Sequence, residues 1–305
     1  MKIIILFAVI GGLLFSCNDT STKKEDNTFD IVTTTSMITD LVKNIGGDKV
    51  VVHGLMGAGV DPHLYKASEG DVSKLSNADM ILYNGLHLEG KLVDVFERMK
   101  KQNINAIAIS DALDKKDLIS STLFESNYDP HIWFNIGYWE LMTLFVADKL
   151  SNALPESAAY FQDNAQKYLQ QLKELNVELR NEIATLSQDQ RRLVTAHDAF
   201  NYFGKAFGFD VVGLQGLSTA TEAGVQDVQE TAAYIIEHKV KSVFIESSVP
   251  RRTIEALKAA VNSKEHEVSI GGTLYSDALG DPNTEEGTYI GMFRYNVKTI
   301  VKALK

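Results

Sequence analysis

From Phe29 onward the chain alternates short, β-branched apolar runs with longer segments in which apolar residues recur every three or four positions. That alternation is the pattern of parallel α/β structure. The runs predict strands over 29–34, 50–55, 79–84 and 105–109, and the periodic segments predict helices near 36–46, 68–76, 90–101 and 136–153. Four such strands make one small sheet. Between Glu156 and Leu186 there is no Gly or Pro, and Tyr160, Phe161, Ala165, Tyr168, Leu169, Leu172, Leu175, Leu179 and Ile183 fall at helical spacing. One helix of about 30 residues would run some 45 Å, more than a small domain's width, so it must belong to more than one core. The simpler alternative is two ordinary helices with a break near Glu174.

Beyond it the alternation resumes, with strands near 192–195, 210–215, 242–246 and 267–271 and helices near 198–207, 225–238, 250–262 and 285–304. The predicted fold class is therefore α/β. Two small lobes, 29–155 and 188–305, each carry a mainly parallel four-stranded sheet flanked by helices, and a long helix over 156–187 joins them. Ligands of open α/β sheets bind beyond the carboxyl ends of the strands, so two facing lobes create a cleft lined by loops from both.

The first residues break the pattern. Met1-Lys2 precedes Ile3 to Phe15, an apolar run of about 13 residues. That is short of the roughly 20 needed to span a bilayer, and it suits a secretory signal over residues 1–16. Cys17, the single cysteine, excludes an intramolecular disulfide. Its place after Leu14-Phe15-Ser16 resembles a bacterial lipobox, which implies cleavage before Cys17 and acylation of its thiol; an incidental cysteine behind an ordinary signal is the alternative. Lipid chains would hold the protein at a membrane without a transmembrane helix. Residues 17–28, which hold no apolar side chain after Cys17, then read as a flexible tether.

Charge narrows the partners. Forty acidic against thirty basic residues give a net charge of -10, which argues against a phosphate-neutralising surface and hence against nucleic acid.

Among five prolines and seven histidines, Asp-Pro-His occurs twice, as Asp61-Pro62-His63 and Asp129-Pro130-His131. Proline fixes its own φ and keeps the preceding residue extended, so each imidazole sits on a stiff loop suited to a ligand. His197 follows the strand Arg192-Leu193-Val194-Thr195 at a strand-to-helix junction, and Asp277 lies in a loop after the last strand. Three imidazoles and a carboxylate suit Zn²⁺ at roughly 2.0 to 2.2 Å, and imidazole also accepts Mn²⁺, Fe²⁺ or Ni²⁺. If all four bind, a tetrahedral ion keeps no site for water, which favours capture over catalysis. The spacing by itself is a weak signal, and each residue has an ordinary alternative as a turn, a cap or a surface charge. Asp198 and Glu246 are candidates to orient the metal-bound rings, and His87 is a further candidate near the site. His53, His238 and His266 are poorer ligand candidates. Because metal binding needs neutral imidazoles, affinity is expected to fall below about pH 6.5.

Several runs taken in order, Val32-Thr33-Thr34-Thr35-Ser36-Met37, Asp61-Pro62-His63, Asn84-Gly85-Leu86-His87-Leu88-Glu89, Thr195-Ala196-His197-Asp198-Ala199-Phe200, Phe244-Ile245-Glu246-Ser247-Ser248 and Tyr275-Ser276-Asp277-Ala278, carry a resemblance. The chain resembles, over nearly its whole length, the zinc- and manganese-binding lipoproteins of ABC importers, the long-helix group called cluster A-I, and among them the Tro-type binders. The resemblance implies an extracytoplasmic, lipid-anchored, monomeric receptor that holds one divalent metal ion, Zn²⁺ or Mn²⁺, between its lobes and passes it to the importer's membrane permease. It implies the ligands His63, His131, His197 and Asp277. In manganese-preferring relatives the third ligand is usually Glu, so His197 favours zinc, while Tro-type relatives with three His carry either metal. Dedicated zinc binders often have a His-rich loop before the second ligand; the segment 111–128 contains no His. The family's rigid helix implies limited closure, with release by loop movement near Asp277 or His197. Rival readings are a siderophore, haem or cobalamin binder of the same architecture, a zinc hydrolase using Glu246 or Asp198 as base, and a surface adhesin.

Overall fold

The computed structural model describes residues 28–102, 104–122, 124 and 126–305. The signal segment, Cys17 and nearly all of the tether lie outside the described residues. In the N-terminal lobe, β1 (Asp30–Thr33), β2 (Val51–Gly54), β3 (Met80–Tyr83) and β4 (Ala106–Ala108) pair in the order β2-β1-β3-β4, all parallel. The helices α1 (Ser36–Gly46), α2 (Glu69–Asn77) and α3 (Val93–Lys101) connect them. Their starts follow local chemistry. Thr35 accepts a hydrogen bond from the Ile38 N–H at the head of α1, and Ser68 and Asp71 form a reciprocal capping box at the head of α2.

Helix α4 (Ile136–Ala153) leads into the 26-residue α5 (Ala158–Ile183), which is unbroken at Glu174. At 1.5 Å per residue α5 is about 39 Å long. Its buried stripe runs from Phe161 through Leu172 to Ile183; of the residues expected there, Tyr160 is at the surface. The helix is shorter than the predicted 156–187 because Pro155–Ser157 forms a separate 3₁₀ turn and the chain leaves the helix at Ala184.

The C-terminal lobe carries β5 (Arg192–His197), α6 (Asn201–Phe207), β6 (Asp210–Gln215), α7 (Val225–Glu237), β7 (Ser242–Glu246), α8 (Arg252–Asn262), β8 (Ser269–Leu274) and α9 (Tyr289–Leu304). Its four strands, expected as one sheet, hydrogen-bond as two parallel pairs, β5-β6 and β7-β8, with β5 lying beside β7. At the β5–β7 border the His197 N–H donates to the Glu246 carboxylate at 2.8 Å.

One hydrophobic core runs through both lobes. Ile31 and Leu41 from the first lobe, Leu172 and Leu179 from α5, and Phe203 and Phe293 from the second belong to the same buried cluster. Each lobe adds a smaller core of its own, around Phe96 and around Ile235. Aromatic contacts cross the border, with Phe134 4.4 Å from Phe200 and Trp139 stacked at 4.5 Å on Tyr289. The lobes are thus fastened along α5 and face each other across the carboxyl ends of their strands.

Candidate metal centre

His63 and His131 follow the two stiff Asp-Pro turns of the first lobe, His197 is the last residue of β5, and Asp277 lies three residues beyond β8. All four therefore occupy loops or strand ends at the cleft, where parallel sheets place ligand sites. Their four side chains converge: one ligand atom from each lies within 4.8 Å of the others, and all four residues are buried. His197 Nε2 is 3.3 Å from His131 Nε2 and 3.3 Å from Asp277 Oδ2. His131 Nε2 is 3.6 Å from Asp277 Oδ1, and His63 Nε2 is 4.0 Å from Asp277 Oδ2. A tetrahedron with bonds of roughly 2.1 Å has edges of about 3.4 Å, so three of these separations already suit one ion and His63 is the loosest member.

Two atoms are decisive for what such a cluster can hold. His63 Nε2 and Asp277 Oδ1 are fully buried and lack any hydrogen-bond partner. Buried polar atoms are costly when unsatisfied, and a lone-pair nitrogen and a carboxylate oxygen aimed at one point are satisfied together by a cation. The electrostatics of the metal-free cluster differ from group to group. Burial pushes the His63 imidazole pKa down to about 3, with Asp277 opposing and the other two rings assisting. On His197 burial is the largest single influence and lowers the pKa, yet Asp277 and then Glu246 together outweigh it and hold it well above its usual range. Burial would raise Asp277, but His197, His63 and His131 together keep its carboxyl below the usual carboxylate range.

Carboxylates behind the rings fix their orientation. Asp129 Oδ1 lies 2.7 Å from His131 Nδ1 and also accepts the His131 backbone N–H at 2.9 Å. Glu246 Oε2 lies 2.5 Å from His197 Nδ1, while its Oε1 accepts the His197 backbone N–H at 2.8 Å. A ring that gives its Nδ1 proton to a carboxylate presents Nε2 as the free lone pair. Glu246 thus stands where the sequence reading placed it. Asp198 does not: its side chain bonds Asn201, and its backbone N–H is given to Gly216 O. Asp129, and not Asp198, is the carboxylate that lies against the far nitrogen of the His131 ring. His87 lines the cleft beside His63 but is outside the four-residue cluster. His53 sits 3.4 Å from Asp30 and His238 packs on Tyr234, both away from the cluster.

Sequence reasoning passed over the aspartates of the two Asp-Pro-His turns. Asp61 accepts the His63 backbone N–H with one oxygen and the Thr219 hydroxyl with the other. Asp129 does the same for His131 and for the Asn201 amide. Each therefore closes an Asx turn that carries one of the clustered histidines and ties that turn to the opposite lobe. The repeat of the tripeptide was the available signal, since Asp two residues before a backbone N–H is the Asx-turn arrangement.

Comparison with known proteins agrees with this geometry. Residues 31–303 match the family described as ZnuA, zinc-uptake complex component A, periplasmic. The chain belongs to this family. It is 47% identical over 302 residues to the manganese-binding lipoprotein MntA of Bacillus subtilis (strain 168), covering 99% of this chain and 97% of that protein. It is 48% identical over 274 residues to the zinc-binding protein TroA of Treponema pallidum (strain Nichols), covering 90% and 88%. The solved structure of that periplasmic zinc-binding protein superposes with a TM-score of 0.88 at 47% identity, over 91% of this chain and 99% of the other. A manganese-bound periplasmic metal-binding protein from Candidatus Liberibacter asiaticus superposes with a TM-score of 0.78 at 27% identity, over 90% and 99%. This ZnuA-family chain is a binding component of a metal importer and not an enzyme, so the siderophore, haem, cobalamin and hydrolase readings are not favoured.

Proposed function

We propose that His63, His131, His197 and Asp277 together hold one divalent transition-metal ion as cargo, which the protein captures outside the cytoplasm and hands to the permease of an ABC importer. The observation that carries this reading is the convergence of four buried side chains from both lobes, with His63 Nε2 and Asp277 Oδ1 left without partners. Zinc ranks first and manganese second, on donor chemistry: three borderline imidazoles and one carboxylate suit zinc's preference for nitrogen. Relatives of nearly equal identity are named for manganese and for zinc, so overall similarity does not choose between them.

Anchoring is the finer part of the proposal. Acylation of Cys17 after removal of residues 1–16 would tether the receptor through residues 17–28. Several relatives are named lipoproteins, and no helix among the described residues is long and apolar enough to cross a membrane. The lobes over 29–155 and 188–305, joined by 156–187, act as one monomer. Elemental analysis of protein purified without added metal, beside competition between Zn²⁺ and Mn²⁺ for the stripped protein, tests the assignment. One equivalent of zinc retained against excess manganese is expected; binding that survives replacement of both His131 and Asp277 by Ala would overturn it.

A further inference from the structure

The four ligands are buried, so an ion must reach them by a defined path, and the cleft offers one. A cavity of about 250 Å³ opens over the cluster, and of the four ligands it is His63 that lines it. His63 is also the loosest of the four, 4.0 Å from the aspartate that His197 meets at 3.3 Å. His197 is clamped by Glu246 and His131 by Asp129. Of the four, His63 is thus the one that both faces the cavity and lacks a carboxylate behind its ring.

Among the described residues lining this cavity the charged side chain is Lys91, and the side chains able to take a transition metal are imidazoles. Besides His63, the cavity holds a second imidazole, His87, half-buried on the wall contributed by the first lobe.

The backbone holds His87 there at a cost. Gly85, Leu86 and His87 have φ of 84°, 52° and 65°, and the Leu88 N–H donates to Gly85 O at 3.1 Å. Positive φ at both central residues is the arrangement of a type I′ turn, normally filled by Asn, Asp or Gly. For ordinary L-residues it costs roughly 1 to 2 kcal/mol each. The surroundings enforce it. The buried Glu89 carboxylate accepts from the N–H groups of Asn84 and Gly85 and from the Thr34 hydroxyl, and the Asn84 amide donates to Pro130 O beside ligand His131. A Cβ on Gly85 would lie 2.4 Å from Ser110 Oγ, so the glycine is required. Strain that the fold enforces around one half-buried imidazole at the mouth of a cavity points to a use for that group.

We infer that His87 is a transient ligand that first takes the metal at the mouth of the cleft and passes it to His63, and that receives it from His63 on release. The inference rests on the ligand assignment proposed above. A way-station that stabilises only the crossing speeds arrival and departure equally and leaves the equilibrium unchanged.

The test is stopped-flow binding and chelator-driven release of Zn²⁺ with wild type and His87→Asn, which keeps a residue tolerant of positive φ while removing the imidazole. Association and dissociation rates should both fall about tenfold with Kd unchanged, the signature of a lost intermediate rather than a lost resident ligand. Thermal unfolding of the metal-free variant, expected at the wild-type temperature, separates this from a damaged loop. Unchanged rates overturn the relay, and so does a weaker Kd carried by faster release alone, which would make His87 a resident or supporting group. Failure of the wild type to bind Zn²⁺ would instead remove the ligand assignment itself.

Discussion

At the level of single residues, two of the four clustered side chains have a carboxylate behind them. Asp129 and Glu246 hold the Nδ1 sides of His131 and His197, so Asp129→Asn or Glu246→Gln should weaken metal affinity by about 10- to 100-fold without removing a ligand. Calorimetric titration reads this, and an unchanged Kd would show that the rings keep their orientation unaided. Proton competition falls unevenly on the three imidazoles. With its pKa near 3, His63 stays neutral at any working pH. His197, raised by Asp277 and Glu246, keeps its proton above pH 6.5 in the metal-free protein. The charged form cannot bind metal, so affinity should go on rising as pH climbs past 6.5 toward the His197 pKa, and fall throughout as pH drops. This extends upward the onset near 6.5 expected from unperturbed histidine. Titration at neutral pH in buffers of different ionisation enthalpy should record about one proton released per metal; none released would contradict the His197 assignment. His63, His131 and His197 stood out because a repeated Asp-Pro-His and a strand-end His are local patterns, while Asp277 was singled out as a loop carboxylate after the last strand and the set as a whole rested on the family resemblance. That Asp129 rather than Asp198 orients a ring was not legible, because sequence adjacency to His197 says nothing about which way a side chain turns once the strand ends.

At the level of elements, the strands and most helices were readable because each has a local cause, β-branched runs for strands and capped periodic segments for helices. Those near β1, β3, α1 and α4 fall within a residue or two of the positions their patterns predicted. The paired, rather than continuous, β5–β8 arrangement was not readable, since which strands share a ladder depends on contacts between segments distant in sequence. Helix α5 has the greatest mechanical role. Leu175 is fully buried on its core face, so Leu175→Ala should cost about 2 to 5 kcal/mol through lost burial and a residual cavity. Chemical denaturation measures this. A cost below about 1 kcal/mol, the size of an ordinary surface change, would mean that the helix repacks freely and is not the rigid strut the packing indicates.

At the level of the whole molecule, cargo binding has little room to bend the structure. The lobes share one hydrophobic core, and Asp61 with Thr219, Asp129 with Asn201, and Trp133 Nε1 with Ser276 O bond across the border. Scattering curves of metal-free and loaded protein should therefore superimpose, whereas marked compaction on loading would require a hinge that these contacts oppose. Limited closure was an expectation from the family resemblance, while the length of one helix pointed to a core shared by both lobes. The polar ties that reinforce it pair residues 72 and more positions apart and left no local trace.

The undivided apolar interior has a further consequence for how the chain comes apart. Severing it near position 187 would leave Leu193, Phe203 and Phe293 facing water on one fragment and the Leu172-to-Ile183 stripe bare on the other. Neither piece would stand alone. Heating should accordingly melt the intact receptor in a single calorimetric peak, displaced upward as a whole when zinc is present, even though the ion touches only four side chains.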